Sequence, residues 1–440
     1  MEKNNKQNLG LWMCTALVVG NMIGSGVFLL PSTLASIGPV SIFGWLFTAS
    51  GAIVLALIFS RLSRLEPDVG GPYAYTRTGF GDFAGFLVAW GYWISIWSAN
   101  AAIVVALVSY LGVFWKPMAT DPVLGAAIGI GAIWLLTWVN AMGVRRAGWV
   151  QLITTIMKLI PLGAVALIGL FYMNPGHFSP MYSGDSFPWS ALTTSASLTL
   201  FAFLGLESAT VPARNVDNPQ KTIPRATIMG TVIAAVIYIA GTVAVMGIIP
   251  IGMLAGSNAP FADAATKIWG SWAGYVVAAG AAISCFGALN GWILLQGQMP
   301  FAVARDRLFP KSFAHLSKRG TPVVGLVVSS VLVTILLIMN YTKGLVEKFQ
   351  FIILLAAMTC LVPYIFSSLA EVMMQIKLRG QKKLDPKRMA KALALGVPGF
   401  IYSAWTIIGS GAETVYWGFL LLIAGIPVYV WFKWRQTMEE

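Results

Sequence analysis

Twelve apolar segments divide this chain, each long enough to cross a bilayer, and no other feature restricts its fold so strongly. They run over 9–35, 41–63, 82–114, 122–144, 149–173, 189–211, 225–249, 271–298, 323–340, 349–376, 392–411 and 414–434. In hydrocarbon every backbone polar group must be satisfied internally, and segments of this length do so as helices. The expected fold is an all-α polytopic membrane protein with 12 transmembrane helices, a single domain over residues 1–440. Composition agrees: 57% of the residues are hydrophobic, 10% are charged and the mean hydropathy is +0.76. The polar start Met1–Asn8 is short, and the apolar stretch after it is too long for the core of a signal peptide. The first span is therefore expected to stay in the membrane.

Lysine and arginine orient the spans. With the N-terminus inside, the inner loops and tails hold 24 of the 29 basic residues, and the outer side keeps only Lys116, Lys267, Lys343 and Lys348. Both termini are thus expected in the cytoplasm, with the chain multi-pass in the plasma (inner) membrane. The net charge of +13 is topology and does not argue for nucleic acid. The basic run Lys377 to Lys391 suits either a solvated cytoplasmic loop or contact with anionic lipid.

Two spans are interrupted. The first carries Gly20-Asn21-Met22-Ile23-Gly24-Ser25-Gly26-Val27-Phe28, with Gly24-Ser25-Gly26 near its centre. These residues give up helix propensity, and irregular backbone at membrane depth survives only inside protein or along a cavity. One reading is a close helix contact built on small residues. The other is a pocket where the N–H groups opening the second half-helix meet an anion such as a carboxylate. The sixth span answers it with Thr199-Leu200-Phe201-Ala202-Phe203-Leu204-Gly205-Leu206-Glu207-Ser208. Spans one and six correspond if the first ten spans form two five-helix repeats of opposite orientation, about 9–173 and 189–376, with extra helices over 392–434. Paired interruptions of that kind point to a transporter's binding site.

Charge inside the spans is sparse. Glu207 lies at the sixth-span break and Lys158 in the fifth span. Each is costly in hydrocarbon and so a functional candidate, although a carboxylate can also cap freed N–H groups and an ammonium can pin helices through their carbonyls. Cys14, Cys285 and Cys360 all sit in apolar segments, so neither a disulfide framework nor a metal cluster is expected. His177 and His315 fall in loops without a paired base, which disfavours an enzyme. A primary pump lacks its glycine-rich phosphate loop, and no cofactor is expected.

Several motifs together carry a resemblance. They are the glycine stretch 20–28, Gly70-Gly71-Pro72-Tyr73-Ala74-Tyr75, Phe203-Leu204-Gly205-Leu206-Glu207-Ser208, Val216-Asp217-Asn218-Pro219-Gln220-Lys221 with Ile223-Pro224, and Ala259-Pro260-Phe261. Nearly end to end, the chain resembles the amino acid–polyamine–organocation superfamily, and within it the bacterial basic amino acid and polyamine antiporters, particularly the arginine–agmatine type. The resemblance implies the inverted-repeat fold of the sodium-coupled leucine transporter, discontinuous helices 1 and 6, and often a homodimer. It implies that Ser25 and Gly26 bind a substrate carboxylate and that carbonyls of Met22, Phe201 and Leu204 take its α-ammonium. It places Ser95, Ile96, Asn100, Trp292 and Ala356 around the substrate side chain. Tyr73 and Tyr92 match gate and pH-sensing positions, and Glu207 a proton-responsive carboxylate.

Three departures bear on the substrate. The arginine carrier's sixth-span tryptophan is Phe201 here, and a phenyl face holds a cation less well than an indole. Ala356 stands where that carrier has a serine, and Ile96 and Ile103 make the pocket drier. Lys158 resembles instead the fifth-span lysine of sodium-independent and proton-coupled permeases, whose ammonium stands in for sodium. The expected function is secondary transport of an amino acid or amine, with sodium-independent exchange of a basic amino acid for its decarboxylated amine set against neutral amino acid exchange or proton-coupled uptake.

Overall fold

The computed structural model describes residues 9–67, 70–179, 181, 189–213, 216–339, 345–378 and 385–439. Met1–Asn8, Lys343 and residues 379–384 of the basic run lie outside them, as does the side chain of Lys348.

The described chain is helical. In order the helices are α1 (Leu11–Met22), α2 (Gly26–Ala35), α3 (Ser41–Leu65), α4 (Pro72–Phe80), α5 (Asp82–Leu111), α6 (Pro117–Thr120), α7 (Pro122–Ala141), α8 (Val144–Ile168) and α9 (Trp189–Phe203). There follow α10 (Pro219–Ile248), α11 (Ile251–Leu254), α12 (Pro260–Trp269), α13 (Ser271–Arg305), α14 (Val323–Met339), α15 (Leu345–Leu378), α16 (Pro386–Ile408), α17 (Ala412–Ile423) and α18 (Gly425–Glu439). One isolated bridge, Leu9 with Val216, is the β-type pairing among the described residues. Among the described residues, eleven spans are long and apolar enough to cross a membrane, counting α1 with α2 and α17 with α18 as one each; α14 is apolar but shorter, at 17 residues.

Several helices run past the apolar limits that hydropathy marks. The seventh span begins at Pro219 instead of 225, because a proline at the first helical position loses no bond there. The eighth continues to Arg305 instead of ending at 298. The eleventh starts at Pro386, six residues early, where Asp385 accepts from the Lys387 N–H at 3.0 Å. The third stops at Leu111, not 114. The twelfth is interrupted at Ala424, three residues before Pro427, whose ring clashes with the carbonyl four residues back.

Burial separates the helices into an inner set and a shell. The window of the first span is 94% buried, whereas that of Ala412–Arg435 is 17% buried, so the former is central and the latter peripheral. α5 packs along both α13 and α15, and α1 lies against α8, α10 and α13. The shell turns large apolar side chains outward, among them Trp138, Ile160, Phe171 and Ile408. Such a surface suits lipid, not water.

Two short helices occupy matching places. α4 joins α3 to α5, and α12 lies between α10 and α13. Each opens with proline at its first turn, Pro72 and Pro260. Each closes on a glycine of the same conformation, Gly81 at φ 98° and ψ 179°, Gly270 at φ 89° and ψ 176°. Only glycine adopts this region without strain.

Candidate functional site

The first span breaks where its glycines predict. Gly24 N–H donates to the Met22 carbonyl at 2.9 Å instead of reaching back four residues to Gly20. The Gly20 carbonyl is thereby released, and Lys158 Nζ takes it at 2.8 Å while also bonding the Ile23 carbonyl. Ser284 Oγ donates to that same Ile23 carbonyl at 3.0 Å. The Lys158 side chain is fully buried, so the break is bridged by an amine that the chain itself supplies. α2 then restarts at Gly26 without a side-chain cap, leaving the first-turn N–H groups to face what lies beyond them.

The glycines here do two jobs. A Cβ at Gly20 would fall 1.8 Å from Gln151 Nε2, so Gly20 serves the close approach of α8. A Cβ at Gly26 would sit 3.1 Å from Ala202, which lets the two broken spans touch. Close helix packing and the break in the helix thus fall at different residues of the stretch.

In the sixth span α9 ends at Phe203, and Gly205 turns the chain at φ +100° before a short 3-10 turn over Ser208–Thr210. Asn21 Nδ2 crosses to Ser208 Oγ at 2.8 Å, and Trp292 Nε1 donates to the Asn21 carbonyl at 3.0 Å. These bonds tie both breaks to α13. Glu207 lies just beyond the turn, buried, with each carboxylate oxygen taken by a phenol. Tyr92 donates to Oε1 at 2.5 Å and Tyr364 to Oε2 at 2.6 Å.

Between the breaks lies a narrow cavity lined by Asn21, Met22, Gly24, Ser25, Gly26, Ala99, Ile103, Phe201, Leu204 and Trp292. The Ser25 hydroxyl is buried without a partner among the described residues, as is Asn21 Oδ1. The lining thus offers an anion-favouring helix start, unused polar atoms and two aromatic walls. Six of the expected residues meet there: Met22, Ser25, Gly26, Phe201, Leu204 and Trp292. Ser95, Ile96, Asn100 and Ala356 do not line it. Ser95 Oγ is spent on the Ala356 carbonyl at 2.8 Å, Ile96 is buried, and Asn100 Nδ2 donates to Gln296 Oε1 at 2.7 Å.

The two tyrosines that match gate and pH-sensing positions lie in different surroundings. Tyr92 is in the core on Glu207, whereas Tyr73 on α4 donates to Asp306 Oδ2 at 2.7 Å. Arg77 Nη1 reaches the same Asp306 oxygen at 2.8 Å, and its Nε bonds Asp82, which Lys433 also reaches at 3.0 Å. Burial, then the bond to Asp306, pushes the Tyr73 phenol up. It therefore stays protonated at physiological pH and acts as a donor.

A family model described as amino acid permease matches residues 9–432. The chain belongs to the amino acid permease family. Among the permease's relatives are a cadaverine/lysine antiporter of Escherichia coli K12, 36% identical over 83% of this chain and 83% of the relative, and the putrescine transporter PotE of the same strain, 33% identical over 97% and 96%. A putative arginine/ornithine antiporter of Bacillus subtilis 168 is 33% identical over 98% of this chain and 97% of its own length.

Some residues bonded to the candidate residues carry no signal in the sequence. Tyr364 and Gln296 sit in ordinary apolar runs, and only their contacts 157 and 196 residues away in the chain reveal them. Asn21 stands inside the glycine stretch, and its isolated amide among apolar neighbours was the available sign.

Proposed function

We propose that this permease is a secondary transporter that exchanges a basic amino acid for its decarboxylated amine, without sodium, across the plasma (inner) membrane. The observation that carries the reading is the cavity between two broken helices, with the carbonyls at the first break held by Lys158. A carboxylate would lie on the start of α2 beside Ser25, and the aliphatic stem between Phe201 and Trp292. The names of the three relatives, all basic amino acids or amines, favour this class over neutral substrates. The matched helices α4 and α12, with their matched glycines, support two inverted five-span repeats followed by two further helices, twelve spans in all. The bias of basic residues to one set of loops supports cytoplasmic termini. The resemblance extends to a homodimer, for which the last span, Ala412–Arg435, is the least covered of the described spans.

Counterflow tests the exchange. Purified protein in liposomes is preloaded in turn with lysine, ornithine, arginine, cadaverine, putrescine or agmatine, and uptake of labelled basic amino acid is followed. Uptake is expected only against a preloaded member of this class, and at the same rate with and without sodium. Equal uptake into empty liposomes, or equal exchange for neutral amino acids, would overturn the reading.

Trp292→Ala should weaken binding of long basic substrates at least about tenfold, and that of alanine less, because a stem loses its packing surface. The same ring also holds the Asn21 carbonyl. Equal losses for every substrate would leave Trp292 a purely structural residue.

A further inference from the structure

Beside the cavity, a buried chain of hydrogen bonds has a fixed direction. The Leu326 carbonyl can only accept, and Gln296 faces it at 3.1 Å, so the Gln296 atom there is nitrogen. The same nitrogen donates to Ser330 Oγ at 2.8 Å, and Ser330 Oγ in turn contacts Thr137 Oγ1 at 2.6 Å. The Gln296 amide is thus oriented from behind, and its oxygen must point at Asn100. Asn100 answers with Nδ2 at 2.7 Å. Its own oxygen is thereby turned away from Gln296, and it has no partner among the described residues. Asn100 and Gln296 are both fully buried.

The pair adjoins the cavity on both helices. Ala99 and Ile103 of α5 line it, one before and three after Asn100. Trp292 of α13 lines it too, four residues and one turn before Gln296. An unpaired amide oxygen at that edge suits a group that can only donate, such as an ammonium or guanidinium. An Asn100 amide free to rotate would present its NH2 as readily, and that would repel a cation.

We propose that Gln296 is the positioning residue that holds Asn100 with its oxygen toward the cavity, making the site select the cationic end of the substrate. The inference rests on the exchange reading above and deepens it. Gln296 touches no substrate; it acts through Asn100.

The test compares pairs of ligands that differ by the ammonium: lysine with norleucine, and ornithine with norvaline. Affinities are measured on the full-length protein in detergent. The wild type should prefer the charged member of at least one pair. In Gln296→Leu the charged ligand should bind about tenfold or more weakly, the scale of one charge-assisted hydrogen bond, with the uncharged ligand unchanged. Gln296→Met, unbranched and of similar volume, serves as the second variant should the leucine variant fail to fold. Adding Asn100→Asp to either should restore the preference, since a carboxylate accepts in every rotamer. Asn100→Asp alone should do worse than the double variant, because the Gln296 oxygen then faces another acceptor. Equal weakening of both ligands, a preserved preference, or no rescue by Asn100→Asp would overturn the inference while leaving exchange intact. A wild type that prefers neither charged ligand would instead overturn the exchange reading.

Discussion

Lys158→Ala should lose most exchange activity, and wild-type exchange should run equally fast with or without sodium. Lys158 Nζ satisfies the Gly20 carbonyl at 2.8 Å and the Ile23 carbonyl beside it, both at the first break. A buried polar group left unpaired costs roughly 1–3 kcal/mol. Ser284 still reaches the Ile23 carbonyl, so it is the Gly20 carbonyl that is left without a side-chain donor among the described residues. The Gly20 carbonyl alone then costs at least about 1 kcal/mol, or about fivefold in the population of the ordered break. The measurement is counterflow in sodium-containing and sodium-free liposomes for wild type and variant. Strong stimulation of the wild type by sodium, or full activity of Lys158→Ala without it, would refute the idea that the ammonium occupies a cation's place.

The second large effect is expected at Glu207. Its two oxygens accept from Tyr92 on α5 and Tyr364 on α15, so one carboxylate joins three spans. Hydrogen bonds to a charged group contribute roughly 1.5–3 kcal/mol each. In Glu207→Gln one oxygen becomes an NH2 that faces a phenol able to donate, and one of the two phenols must turn or lose its bond. Turnover should fall at least about tenfold, with a smaller fall for Tyr364→Phe, which breaks one bond and leaves the other. Counterflow rates measured from acid to neutral pH also read the proton role: Glu207→Gln should flatten the profile. A variant with the wild-type rate and profile would show that Glu207 neither couples these spans nor responds to protons.

How much of this was legible before the structure depends on how local the cause is. The spans and both breaks follow from length, apolarity and glycine placement, each a property of adjacent residues. The helix ends were misplaced where caps and prolines decide, as at Pro219, Pro386 and Pro427, because hydropathy marks the lipid boundary and not the last hydrogen bond. The cavity was half legible. Met22, Ser25, Gly26, Phe201, Leu204 and Trp292 lie on or beside the interruptions and meet as expected, whereas Ser95 and Asn100 depend on partners far along the chain that take up their polar atoms. Tyr364 has no neighbourhood signal at all, since a buried phenol in an apolar run looks like core until Glu207 is found beside it.

Under the two-repeat reading proposed above, the matched glycines Gly81 and Gly270 also bear on energetics. They put the same bend at the entrance to α5 and to α13, the two long helices that enclose the cavity together with the broken spans. When two halves of a carrier turn on equivalent joints, opening toward one compartment costs about what opening toward the other does. Neither end state is then a resting state, and the direction of net flow is left to the solutes on either side. Such a machine is a valve for gradients that metabolism creates: it drains whichever solute is in excess and refills with the other, and it stalls when the two ratios match.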